Sequence, residues 1–239
     1  MKPSEAKTFS FRAVIIIALL TIIDVGQTFD LKCDEKTEDW YVVGSVKLCS
    51  VQGLEITSPN EEITSVNGRT TPSDLDALYI WGQNMNFFPK GIVKFFPKLK
   101  ALTVFGSKLK SVKQKDLKYL TKLISLNLSY NVIDTLEMNL FKFNQKLKNI
   151  ELNGNKLKYV DEDLLNGLND LQTVFFQNNF CIDAKADESE EDIQQVIQML
   201  RDKCLSKDKR RGLCSDDIAA LNSEIAALKS ELKTKHWKD

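Results

Sequence analysis

Between Leu75 and Asn179, apolar and polar positions follow one pattern that recurs five times at a constant step, from Leu78 to Leu102, Leu126, Ile150 and Val174. LISLNLSYNVI (Leu123 to Ile133) and LKNIELNGNKL (Leu147 to Leu157) carry it most fully. The other copies keep the phase: Leu75, Leu78, Ile80 and Met85; Leu99, Leu102, Val104 and Leu109; Leu171, Val174, Phe176 and Asn179, with Cys181 at the closing apolar position. Alternate residues of a strand point to opposite faces, so each copy predicts a short strand with two apolar side chains turned inward. Further apolar positions recur on the other half of each unit: Phe88, Val112, Leu136 and Val160, then Val93, Leu117, Phe141 and Leu165. A single unit cannot bury such a face, but stacked neighbours can.

The two full copies fit LxxLxLxxNxL, the signature of a leucine-rich repeat. The expected fold is an α/β leucine-rich-repeat solenoid, a horseshoe whose parallel strands line the concave side, with repeats over 75–180. At the Asn position the side chain bonds backbone groups of the turn that leaves the strand. Asn131, Asn155 and Asn179 hold it, while Gln83 and Ser107 replace it in the first two repeats, where the polar ladder is expected to be weaker.

A solenoid exposes its core at both ends and needs caps there. Residues 29–74 form the expected first cap, with two short strands around Gly44 and a degenerate first repeat. Val51, Leu54 and Ile56 stand one repeat step before Leu75, Leu78 and Ile80, and residues 57–74 read as the loop half of that unit. Residues 181–205 form the second cap. Ile193, Val196, Ile197 and Leu200 recur at helical spacing within Ala184–Lys203. Acids Asp187, Glu188, Glu190, Glu191 and Asp192 crowd the helix start, where the dipole favours negative charge. They lack calcium-loop spacing, so no metal site is expected.

Residues 1–28 read as a signal peptide: Lys2, Lys7 and Arg12 lead into Ala13–Ile23, an uncharged run too short to span a membrane. Cleavage is expected between Gly26 and Phe29; a buried hydrophobic N-terminal strand and an uncleaved anchor are the alternatives. The mature chain is therefore expected outside the cell, with no membrane span, where cysteines oxidise. Two of its five cysteines precede the repeats and two close them. The parsimonious pairing is Cys33–Cys49 and Cys181–Cys204, although spacing alone leaves connectivity open. The fifth, Cys214, follows a basic linker over 206–213. It opens a segment, 214–236, in which Ile218, Leu221, Ile225, Leu228 and Leu232 mark a coiled-coil seam. Cys214 falls on that seam, which favours an interchain disulfide in a homo- or heterodimer; a helix folded back on the solenoid is the alternative.

Charge is balanced over the chain, with 33 basic and 33 acidic residues, so no nucleic-acid partner is expected and there is no global case for membrane binding. The single histidine, His236, stands close to the end of the chain, and no catalytic set, cofactor loop or metal-ligand spacing appears. The expectation is a non-enzyme without cofactors. Outward strand positions form two concave columns: Glu55, Tyr79, Thr103, Asn127, Glu151 and Phe175, then Thr57, Trp81, Phe105, Ser129, Asn153 and Gln177. Tyr79, Trp81, Phe105, Tyr130, Glu151 and Phe175 are the candidate ligand-binding residues, since exposed aromatics are enriched at interface hot spots; packing of Tyr79, Trp81 and Phe105 on one another or under the first cap is the alternative. Asn127-Leu128-Ser129 is a glycosylation sequon in the same column.

The layout of signal, short repeat solenoid, cysteine caps, spare cysteine and terminal coil resembles secreted insect leucine-rich-repeat proteins of the mosquito immune type. That resemblance covers most of the mature chain. It implies an extracellular recognition module, and dimers joined beside the coil that carry complement-like thioester proteins. Cys214 matches the linking cysteine and Ile218–Leu232 the coil. Longer members have more repeats, a double-cysteine motif and a longer coil. The implied role is innate immune recognition of a protein or microbial-surface ligand; the alternative is a structural or adhesive extracellular-matrix role.

Overall fold

The computed structural model of the chain describes residues 28–68 and 70–204. The segment before Thr28 read as a signal, the basic linker, Cys214 and the expected 214–236 seam lie outside the described residues. In chain order the strands are β1 (Thr28–Trp40), β2 (Gly44–Val51), β3 (Glu55–Ile56), β4 (Glu62–Asn67), β5 (Ala77–Trp81), β6 (Asn84–Met85), β7 (Ala101–Phe105), β8 (Ser125–Asn127), β9 (Thr135–Leu136), β10 (Asn149–Glu151), β11 (Tyr159–Val160), β12 (Thr173–Phe175) and β13 (Lys185–Asp187). Short helices α1 (Ile92–Phe95) and α2 (Gln114–Leu117) lie between strands, and α3 (Glu190–Lys203) follows the last.

Nine strands make one sheet, ordered β13-β12-β10-β8-β7-β5-β2-β1-β4. From β5 to β12 the pairing is parallel and keeps the register of the repeat, so Leu78, Leu102, Leu126, Ile150 and Val174 stand in one column. With Ile80, Val104, Leu128, Leu152 and Phe176 they are wholly buried. Full burial of each such side chain contributes about 1.5–3 kcal/mol. The outer half of each repeat closes the core with Phe88, Val112, Leu117, Leu136, Phe141, Val160 and Leu165. Ile92, rather than the expected Val93, takes the core position of its repeat, where α1 starts from Gly91 at φ 89°.

The asparagine ladder ties each repeat to the one before it. Asn131 Oδ1 accepts the N–H groups of Ser107 and Leu109 at 3.0 Å each, and its Nδ2 donates to the carbonyl oxygens of Val104 and Leu128. Asn155 bonds Ile133 N, Leu128 O and Leu152 O; Asn179 bonds Leu157 N, Leu152 O and Phe176 O. Ser107 Oγ makes only one bond of each kind, accepting from Gln83 N and donating to Phe105 O. The hydroxyl has no amide nitrogen beside its oxygen, so it ties the neighbouring repeat by a single bond, which is why the ladder thins there.

Both ends depart from the expected layout. At the first, β2 pairs with β5 through Leu48↔Ala77 and Val51↔Ile80, whereas the repeat phase sets Val51 opposite Leu75. Glu55 and Thr57 therefore leave the concave columns, and Ser50 stands beside Tyr79 instead. The extra length feeds β4, which takes the place of the expected loop and pairs in parallel with β1 through Leu31↔Val66. The two strands around Gly44 are long, 13 and 8 residues, and form an antiparallel hairpin. At the other end, Lys185–Asp187 is extended against β12, and the helix begins only at Glu190, where Ser189 Oγ accepts the Asp192 N–H at 3.2 Å. Ile193, Val196 and Leu200 cover the last repeat. Cys33–Cys49 and Cys181–Cys204 are the two disulfides among the described residues, with Cα atoms 5.0 and 5.1 Å apart.

Candidate functional site

The inner face of the sheet is not an open trough. The β1–β2 hairpin overhangs the amino ends of the parallel strands, where Val46 and Leu48 pack on Ala77 and Ala101 beside Trp40, Val43 and Tyr79. Its tip reaches the far end of the sheet. Tyr41 Oη lies 2.8 Å from Glu188 Oε1 and 3.3 Å from Asp187 Oδ1. The Glu188 carboxylate, chiefly through that hydrogen bond, holds the phenol above its ordinary pKa. The first concave-facing position of each strand along the hairpin's path is buried: Ala77, Ala101, Ser125, Asn149 and Thr173. Three of these are alanine or serine, small enough to let a second layer approach. That small-residue column was the available sequence signal; the contact between Tyr41 and Glu188, 147 residues apart, had none.

The six candidate residues fall into three groups. Tyr79 lies half-buried under the hairpin, edge-on to Trp40 with ring centroids 6.1 Å apart. Glu151 and Phe175 sit deeper along the face. Glu151 accepts from Asn149 Nδ2 at 2.9 Å and from Asn127 Nδ2 at 2.6 Å, and Lys185 Nζ lies 6.0 Å from the Phe175 ring centroid. Any glycan on Asn127 would take the nitrogen that donates to Glu151.

Trp81, Phe105 and Tyr130 form the third group, at the carboxyl ends of neighbouring strands. Trp81 pairs with Phe105 across β5 and β7, and the Phe105 and Tyr130 centroids are 4.9 Å apart. Trp81 is 59% exposed and Tyr130 53%. Tyr130 holds φ 57° and lies against Gly154, where a Cβ would come within 2.8 Å of its ring. The row thus stands on rigid backbone and faces water. Ser129, expected beside it, is buried and donates to Asn153 Oδ1 at 2.6 Å. The row is an apolar platform, with no paired carboxylates, thiol or imidazole in it.

The leucine rich repeat family matches residues 97–157. Of solved structures, the APL1 leucine-rich repeat domain is similar at a TM-score of 0.52 and 16% identity, over 64% of this chain and 37% of that one. The fold is that of a leucine-rich-repeat protein. Toll in the Drosophila Toll–Spatzle complex is similar at a TM-score of 0.43 and 22% identity, over 53% of this chain and 18% of that one. TLR13 in its complex with ssRNA13 is similar at 0.43 and 25%, over 55% and 18%. The chain thus spans less than two-fifths of each of these structures. No curated protein matches the sequence.

Proposed function

We propose that this leucine-rich-repeat chain is a secreted, non-enzymatic recognition protein of innate immunity. Its solenoid engages an extracellular protein or a microbial-surface ligand, and its 214–236 segment joins two chains, with Cys214 as the covalent link. The observation that carries the binding reading is the row Trp81, Phe105 and Tyr130, exposed at Trp81 and Tyr130. Large rings on a rigid scaffold lose little conformational freedom on binding, which makes such a row a natural hot spot. The hairpin closes the amino side of the concave face, so a ligand meets the carboxyl rim. The two disulfides suit an oxidising compartment. The immune role rests on the layout shared with the mosquito-type proteins.

Trp81→Ala combined with Tyr130→Ala tests the reading. Immobilised wild-type and variant proteins are exposed to the same extracellular fluid, and retained proteins are compared by mass spectrometry. A partner retained by the wild type and lost from the variant is the expected result. Identical retention by both would overturn the rim as the binding surface.

A further inference from the structure

A second surface lies on the outer flank, away from the aromatic rim. Three consecutive repeats carry Lys-aromatic-x-x-Lys in the turn before the strand: Lys94-Phe95-Phe96-Pro97-Lys98, Lys118-Tyr119-Leu120-Thr121-Lys122 and Lys142-Phe143-Asn144-Gln145-Lys146. Because β7, β8 and β10 pair in register, Ala101 beside Ser125 and Ser125 beside Asn149, these turns stack as three rungs of one ladder. The third residue of each rung, Phe96, Leu120 or Asn144, is buried and fixes the turn. The first lysine lies over its aromatic neighbour, with Nζ 5.1, 4.4 and 5.9 Å from the ring centroid. Tyr119 is 63% exposed and Phe143 43%. Lys98 pairs with Asp74 at 3.3 Å, an exposed contact, whereas Lys122 and Lys146 have no ion pair among the described residues.

The balanced total charge hides a strong local excess. Ala77 to Ile133 contains ten lysines and one acid, Asp116, whereas Phe29 to Asp76 contains ten acids against four basic residues. The ladder also stops abruptly, since the equivalent positions of the next repeat are Asn166, Gly167 and Asp170. Beside its second rung, between residues 89–93 and 115–119, is a cavity of about 350 Å³, lined by Lys90, Lys115, Lys118 and Tyr119 with Asp116 and by the apolar Pro89 and Val93. Asp116 is committed to the fold, its carboxylate accepting the Lys113 N–H at 2.8 Å.

We infer that this flank is a docking surface for an anionic lipid bilayer. The ammonium groups meet headgroup phosphates, Tyr119 and Phe143 enter the interfacial layer, and the lysine-lined cavity takes one headgroup. Lysines near an anionic leaflet each contribute about 1 kcal/mol, and aromatic side chains favour the headgroup level. A cation above each ring is the arrangement that snorkelling produces, with the stem along apolar surface and the charge at its edge. One face of each ring lies under its lysine, which limits stacking by the bases of single-stranded nucleic acid.

The test is flotation of the purified protein with vesicles, either phosphatidylcholine alone or about three parts phosphatidylcholine to one part phosphatidylglycerol. Salt-sensitive binding to the anionic vesicles alone is expected. Lys122→Gln with Lys146→Gln should weaken it about thirtyfold, two surface lysines' worth. Tyr119→Ser with Phe143→Ser, also at exposed positions, should weaken it about tenfold or more. No binding to anionic vesicles would overturn the proposal. So would equal binding by both variants, or a loss confined to the lysine pair with heparin bound as well as the vesicles, which would mark a site for soluble polyanions.

Discussion

Asn131 shows how one side chain links two repeats. Its amide satisfies two buried N–H groups and two carbonyl oxygens, and it is 4% exposed. Asn131→Ala leaves those backbone groups unpaired in an apolar setting and should cost about 2–4 kcal/mol. Ser107→Ala removes one bond of each kind and should cost about 1 kcal/mol. Urea unfolding midpoints of the two variants check the order, and equal losses would mean the ladder is not the main tie. At the rim, Gly154→Ala meets two obstacles: φ is 66°, and the new Cβ would press on the Tyr130 ring at 2.8 Å. The variant should lose about 1–2 kcal/mol of stability from the strained backbone alone. Near-ultraviolet circular dichroism should also change as Tyr130 leaves Phe105.

Elements with a strong period are legible in the sequence; elements held by distant contacts are not. The strands β5, β7, β8, β10 and β12 follow from the apolar phase, because each repeat buries the same two positions. The shifted register at the first strand is hidden, since Val51, Leu54 and Ile56 fit the repeat phase by composition while Leu48, Cys49 and Val51 make the pairing. Likewise Ala184 and Ala186 continue a plausible helix, yet the open edge of β12 captures Lys185–Asp187 as a strand. Trp81 and Phe105 are legible because the strand period names outward residues. By the same period Tyr79 reads as open surface, yet it lies half under the hairpin, because hairpin length does not show in a periodic pattern. The lysine–aromatic ladder is written in the sequence at the step of the repeat, but net charge conceals it. The element α3 gives a direct check on the second cap. Its apolar face seals the last repeat, and Cys181–Cys204 closes a loop of 23 residues around it. Cys181→Ser with Cys204→Ser should cost about 2–4 kcal/mol. Amide exchange should accelerate first in α3 and β13, while β7 and β8 stay protected; uniform acceleration would mean the cap and repeats unfold as one unit.

On the scale of the whole molecule, the hairpin joins the two ends of the solenoid. The hairpin is fastened by Trp40, Val43, Val46 and Leu48 on the alanine column, and at its tip one hydroxyl reaches Glu188 and Asp187. The sheet from β5 to β13 is about 24 Å wide at ~4.8 Å per strand, so the latch closes a ring across most of the concave face. Tyr41→Phe keeps the ring and removes only that bond. It should leave global stability essentially unchanged, because the contact is solvent-exposed. It should nevertheless speed amide exchange at Tyr41–Gly44 while leaving Val46–Leu48 protected. The pH dependence has a definite sign. The folded-state pKa of Tyr41 is raised, so the latch is intact below the ordinary tyrosine pKa and is lost as pH rises through the folded value. Exchange at the tip, corrected for intrinsic rates, should therefore match the wild-type baseline at neutral pH and approach the Tyr41→Phe rate only in alkali. If the wild type and Tyr41→Phe exchange alike at neutral pH, the tip is held by packing alone and the ring is not closed by the hydroxyl.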